Sequence, residues 1–167
     1  MFDYELERLM NTYGDYIVRM CYIYLKNKTL AEDASQEVFI NAYKWMDSFR
    51  QESSEKTWLT SIAINVCKGY LRTNWLRRVQ IGIERPQKYD VVEDDIERRI
   101  ENTELFKKVM NLATRYREVI LLYYYQDLKV NEIADVLKIS ESSVKMRLQR
   151  ARTKLKENFE KEEYICG

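Results

Sequence analysis

The chain has 167 residues, with 28 Lys plus Arg against 27 Asp plus Glu, one Pro, four Gly and no His. Without imidazole there is no ordinary catalytic triad, no His-ligated zinc and no unperturbed base near neutral pH, so an enzyme is disfavoured. A chain 46% hydrophobic and 33% charged with so few turn formers points to long helices and away from a sandwich or barrel.

Leu6, Leu9, Met10, Tyr13, Tyr16, Ile17, Met20, Cys21, Tyr24 and Leu25 step by threes and fours, a helical stripe that Gly14 can bend. Thr29-Leu30-Ala31-Glu32 has the pattern of a capping box and starts a second helix, with Leu30, Ala34, Val38, Ala42, Trp45 and Met46 on its buried side. The loop Phe49-Arg50-Gln51-Glu52-Ser53-Ser54 ends it, and a third helix runs from about Glu55 to Trp75. On that helix Trp58, Leu59, Ile62, Ala63, Val66 and Tyr70 share one broad side, which places Trp58 in the core; Ser61, Asn65, Lys68 and Arg72 share another. A basic, amide-bearing strip beside a polar loop is suited to a nucleic-acid strand. Residues 77–95 hold Pro86 and the acidic run Asp90-Val91-Val92-Glu93-Asp94-Asp95, with little periodicity. Periodicity resumes at Ile96, and 103–158 reads as a bundle of short helices. The expected fold is all-α: two small helical domains, 1–76 and 103–167, joined by a polar linker over 77–102.

The net charge of +1 is a cancellation. Residues 51–88 carry 7 basic and 3 acidic side chains, and residues 140–157 carry 6 and 2, while 89–109 carry 4 and 7. Two basic blocks on either side of an acidic stretch are what a nucleic-acid binder with two contact points shows.

The second block has its own geometry. Val130–Leu137 is a short helix, Lys138-Ile139-Ser140 a tight turn, and Ser140 caps a longer helix over 141–157, which is helix-turn-helix spacing. At about 100° per residue, Leu148, Ala151 and Leu155 fall within about 40° of Val144 and form the core stripe. Ser142, Lys145, Met146, Gln149, Arg150 and Thr153 lie opposite. That face suits the major groove: Lys and Arg for guanine acceptors, Gln for adenine, Met for a thymine methyl. Arg147, Arg152 and Lys154 sit on the flanks, where phosphates lie.

Cys21, Cys67 and Cys166 are far apart in sequence, odd in number and without a C-x-x-C pair, so they read as reduced thiols of a cytoplasmic protein. The N-terminus carries acids where a secretory signal carries bases, and no apolar run approaches the roughly 18 residues of a membrane span. No membrane insertion, cofactor or metal is expected.

These residues carry a family resemblance. AEDASQEVFINAYKWMDSFRQESSEKTWLTSIAINVCKGYLR (31–72) resembles domain 2 of the bacterial RNA polymerase sigma factors of the extracytoplasmic-function group. YREVILLYYYQDLKVNEIADVLKISESSVKMRLQRARTKL (116–155) resembles their domain 4, in the right order and behind a linker of suitable length. The resemblance implies a factor that binds core RNA polymerase and promoter DNA, catalyses nothing itself and is commonly restrained by an anti-sigma factor. It implies that Asp33, Gln36 and Glu37, at i, i+3 and i+4 of one helix, dock on a coiled coil of the polymerase. Phe49, Ile62 and Asn65 then form a pocket for an unstacked base of the minus-ten element, and Arg50, Lys68 and Arg72 hold the strand's phosphates. The helix 141–157 reads the minus-thirty-five element through Ser142, Ser143, Lys145, Met146, Arg147, Gln149 and Arg150. Two departures stand out: Lys129 replaces a Ser or Thr cap, and Lys138 occupies a turn position where the family often has Gly.

Two rival readings remain at this level. A helix-turn-helix regulator independent of polymerase accounts for residues 110–157 and leaves Asp33, Gln36, Glu37 and the 49–65 segment unused. A helical adaptor, or a metal enzyme built on Glu93-Asp94-Asp95, lacks convergent ligands.

Overall fold

The computed structural model describes residues 2–81 and 104–166, and every regular element among them is helical. The chain divides into two compact units, Met1–Val91 and Val92–Gly167. Residues 77–81, expected in the linker, belong to the third helix. The rest of the expected linker, with Pro86, the acidic run, the Glu93-Asp94-Asp95 cluster and the start of periodicity at Ile96, lies outside the described residues.

The first unit packs α1 (Phe2–Leu25), α2 (Lys28–Trp45) and α3 (Glu55–Ile81) against one another. α1 runs unbroken through Gly14. The stripe read from sequence is buried at Leu9, Ile17, Met20, Cys21, Tyr24 and Leu25, while Met10 faces solvent. Lys26 closes α1 in the left-handed region at φ 55°. α2 starts ahead of the Thr29 box, because Asn27 in extended backbone already caps it: Asn27 Oδ1 accepts from the Leu30 N–H at 3.0 Å. Ala31, Ala34, Val38 and Ala42 are fully buried, and small side chains at this spacing let α2 lie close to its neighbours. Trp45 continues the same stripe but is exposed, because the packed layer ends at Ala42 and α2 passes into a 3₁₀ turn over Met46–Ser48. Ser54 caps α3, its Oγ accepting from the Thr57 N–H at 3.1 Å.

The second unit contains α4 (Glu104–Met110), α5 (Thr114–Ile120), a π-helical turn (Leu121–Tyr125), α6 (Val130–Leu137) and α7 (Glu141–Cys166). Val109, Val119, Leu121, Leu122, Ile133, Val144 and Ala151 are the centre of its core. The π turn is closed by the Gln126 N–H donating to the Leu121 carbonyl at 3.0 Å, and the extra residue lets Leu121 and Leu122 point inward while Tyr124 points out. Of the two departures noted in the sequence, Lys129 keeps half a capping box: Glu132 Oε2 accepts its backbone N–H at 2.7 Å. Lys138 takes the left-handed conformation at φ 57°, ψ 41°, at a cost of about 1 kcal/mol against Gly. α7 continues past the expected 157 to Cys166.

Candidate functional site

On α2, Asp33, Gln36 and Glu37 are exposed while Ala34, Ser35 and Val38 between them are buried, so packing fixes which face the two acids and the amide present. Glu37 has a second environment. It lines a groove of about 570 Å³ between α2 and α3, together with Leu30, Asn41, Trp45, Ile62, Asn65, Val66, Gly69, Tyr70, Arg72 and Thr73. Burial, and next the Glu37 carboxylate, push the Tyr70 phenol above its ordinary range. The fold therefore brings Glu37 beside Ile62, Asn65 and Arg72, which were assigned to different partners in the sequence. Asn41, Trp45, Tyr70 and Thr73 were not anticipated at this groove. Asn41 could have been found, since it stands one helical turn from Glu37.

At the loop, Phe49 does not stand free: its ring stacks on Trp58 with centroids 4.6 Å apart and planes inclined by 24°. Trp58, expected in the core, is half-buried, because it sits in the first turn of α3 and meets the loop. Ile62 is buried at 4% exposure and contributes a groove wall, whereas Asn65, Lys68 and Arg72 are exposed along α3 and Arg50 is exposed in the loop.

A polar seam fixes the start of α3 against α1. Arg8 Nη2 and Nη1 donate to Glu55 Oε1 and Oε2 at 2.6 and 3.2 Å, and the Tyr13 hydroxyl donates to Glu55 Oε2 at 3.4 Å. Hydrogen bonding from Arg8 holds the Glu55 carboxyl below the usual range, while burial and then Glu55 raise the Tyr13 phenol. One turn on, the Tyr16 and Thr60 hydroxyls share a hydrogen bond at 2.7 Å, and Lys56 Nζ lies 4.8 Å from the Tyr16 ring centroid. Sequence reasoning placed Tyr13 and Tyr16 on the buried stripe without their polar tips. Cys21 and Cys67, from α1 and α3, are free buried thiols, and hydrogen bonding with Cys21 followed by burial raises Cys67 far above the ordinary thiol range.

In the second unit Ser140 caps α7 as expected: its Oγ accepts from the Ser143 N–H at 3.1 Å and lies 2.9 Å from Ser143 Oγ and 3.0 Å from Ser142 Oγ. Val144, Leu148 and Ala151 are buried, and Ser142, Lys145, Met146, Gln149, Arg150 and Thr153 are exposed, so the helical wheel places the outward face correctly. The flanks are less open. Arg147 Nη1 donates to Glu118 Oε1 at 3.3 Å, and Glu118 is nearly buried, so Arg147 joins α7 to α5. Lys154 lies 5.5 Å from the Tyr116 ring centroid and Arg152 bonds the Tyr124 hydroxyl.

Among the described residues, no cluster of three or more His, Cys, Asp or Glu could hold a metal ion, and no helix is long and apolar enough to cross a membrane.

Two helical units, one with an acidic helix face beside a basic strip and one with a helix-turn-helix, define a two-lobed nucleic-acid-binding factor. The family profile for Sigma-70 region 2 matches residues 9–77, and that for Sigma-70, region 4 matches residues 104–155. The chain is 32% identical over 163 residues to the ECF RNA polymerase sigma factor SigW of Bacillus subtilis (strain 168), covering 90% of this chain and 87% of that protein. It is 30% identical over 166 residues to the RNA polymerase sigma factor YlaC of the same strain, covering 94% and 93%. The fold is also that of the sigma factor RpoE in its complex with the anti-sigma factor NepR from Bartonella quintana, with a TM-score of 0.80 at 20% identity over 93% of this chain and 97% of that one. The chain belongs to the extracytoplasmic-function group of the sigma-70 family, the factors that bind core RNA polymerase and direct promoter recognition and transcription initiation.

Proposed function

We propose that the two lobes divide promoter recognition between them, domain 2 (1–76) serving core polymerase and the minus-ten element and domain 4 (103–167) serving the minus-thirty-five element. Asp33 and Gln36 dock on a basic coiled coil of the polymerase, and Glu37 joins them while also bordering the α2–α3 groove. Phe49, Ile62 and Asn65 receive an unstacked base of the minus-ten element. With Phe49 lying on Trp58, the base stacks on the pair from outside, and Arg50, Lys68 and Arg72 hold its strand. Lys145, Met146, Gln149 and Arg150 read base edges of the minus-thirty-five duplex, and Ser142 and Ser143 lie at the helix start, where backbone N–H groups meet phosphate.

The protein positions strands and leaves all chemistry to the polymerase, works in the cytoplasm, and is held in check by an anti-sigma factor. The observation that supports this reading best is the alternation on α2 and α7 of buried apolar residues with exposed acids on one helix and exposed base-reading side chains on the other. Permanganate footprinting of a promoter with reconstituted holoenzyme tests it. Thymines of the minus-ten element become reactive only with the protein present; a duplex that stays closed overturns the reading.

A further inference from the structure

Of the three cations on the flanks of α7, two are engaged with α5: Arg147 with the nearly buried Glu118, and Lys154 over the Tyr116 ring. Arg152 differs. It is exposed on the other flank, its Nε donates to the Tyr124 hydroxyl at 2.8 Å, and its guanidinium carbon lies 5.5 and 6.0 Å from the Tyr124 and Tyr123 ring centroids. The two rings meet edge to face at 4.9 Å and 81°, so they form a corner in which the planar guanidinium rests. Tyr124 itself is 51% exposed. The corner lies on the π-helical turn Leu121–Tyr125: the Gln126-to-Leu121 hydrogen bond accommodates an extra residue, so that Leu121 and Leu122 fill the core while Tyr123 and Tyr124 meet the Arg152 side chain of α7. Turns of this type recur at functional positions.

We infer that Tyr124, with Tyr123, is a positioning residue that aims the Arg152 guanidinium at a backbone phosphate of the minus-thirty-five duplex. This rests on the sigma reading above. One Nε–H is committed to the Tyr124 hydroxyl, and the remaining guanidinium donors are left for an anion. Arginine in a fixed fork loses less rotamer freedom on meeting phosphate than a free side chain does. A phosphate contact carries no base information, so its signature is a loss that is uniform across sequences and a shallower salt dependence.

The experiment uses holoenzyme reconstituted from the full chain and core polymerase. Its binding to duplexes carrying the minus-thirty-five element and each single-base variant of it is measured over a range of salt concentrations. Arg152→Gln is expected to weaken every duplex by a similar factor, roughly tenfold at low salt, and to lower the slope of log K against log salt by about 1. Tyr124→Phe keeps the ring and the charge but removes the hydroxyl, so affinity falls severalfold for all duplexes with the slope kept. Arg152→Lys keeps the slope and does not regain the full affinity. A purely structural role of the corner lowers the melting temperature and leaves the slope of Arg152→Gln unchanged, which overturns the proposal; a loss confined to particular bases overturns it too. If the unaltered protein forms no holoenzyme, the sigma reading falls and the proposal with it, whereas intact holoenzyme with an unchanged slope removes the proposal alone.

Discussion

The Arg8 guanidinium grips the Glu55 carboxylate with two hydrogen bonds, at 2.6 and 3.2 Å, and so ties the first helix of the chain to the first turn of α3. Glu55 follows directly on the 49–54 loop, and a carboxylate in the first helical turn also meets the positive end of the helix dipole. Breaking the pair with Arg8→Ala or Glu55→Gln should lower stability by up to about 1 kcal/mol, since both side chains are partly exposed to solvent. Glu55 is held below its ordinary value, so its contribution is complete above about pH 4.3 and disappears as pH falls through the lowered folded value. Acid unfolding followed by circular dichroism should show the two stability curves converging at low pH. A Glu55→Gln deficit that persists there contradicts the assignment.

Asp33→Ala and Gln36→Ala should weaken binding to core polymerase without changing thermal stability, because both side chains are exposed on a face whose packing lies on the opposite side. Glu37→Ala should differ in degree: Glu37 raises the Tyr70 phenol by its charge and by hydrogen bonding, ahead of the more weakly acting Asp33, so its loss should bring the phenol closer to its ordinary value than Asp33→Ala does. Equilibrium binding to core, with a spectroscopic titration of the tyrosines, separates the two behaviours. Equal effects of all three substitutions on the phenol would refute the distinction.

The Phe49–Trp58 stack should be felt in strand opening. Phe49→Ala is expected to cost about 1–3 kcal/mol in capture of an unstacked base, read as slower gain of fluorescence from 2-aminopurine placed in the minus-ten element. Trp58→Phe keeps an aromatic partner and should lose less than Trp58→Ala. Unchanged opening with Phe49→Ala would remove the loop from the account.

Arg147 and Arg150, one turn apart on α7, should separate cleanly. Arg150→Ala is expected to relax base preference in the minus-thirty-five element by about 1–3 kcal/mol with little change in melting temperature. Arg147→Ala leaves the nearly buried Glu118 without this partner and should destabilise the second unit by about 1–3 kcal/mol. Calorimetry and binding to a duplex panel give both numbers. The reverse pattern would mean that Arg147 is the base reader.

What sequence could and could not reveal follows from which signals are periodic. The stripes on α1, α3 and α7 and the Ser140 cap were legible, because core burial imposes a spacing of three and four that survives any partner. The exposure of Trp45 was not: it continues its stripe, but it is the last residue of α2 and borders the open α2–α3 groove, which periodicity within one helix does not reveal. The start of α2 was misplaced because two caps compete within three residues and the extended backbone of Asn27 decides between them. Of the site, exposure of Asp33, Gln36, Asn65 and Arg150 was foreseeable from the wheels. The diversion of Arg147 to Glu118, of Phe49 to Trp58 and of Glu37 to Tyr70 was not, because each joins residues from different elements. The π turn has no composition of its own; LLYYY reads as an ordinary apolar stretch until the Gln126-to-Leu121 bond is seen.

Added to core polymerase, this chain should confer promoter-specific initiation. Single-round transcription from a randomised promoter library tests it most directly. Transcripts should depend on the protein and arise from templates enriched for two separated elements, with enrichment at the upstream element blurred by Arg150→Ala and overall yield reduced by Asp33→Ala. No transcript above that of core alone, or transcripts from templates without shared elements, would contradict it.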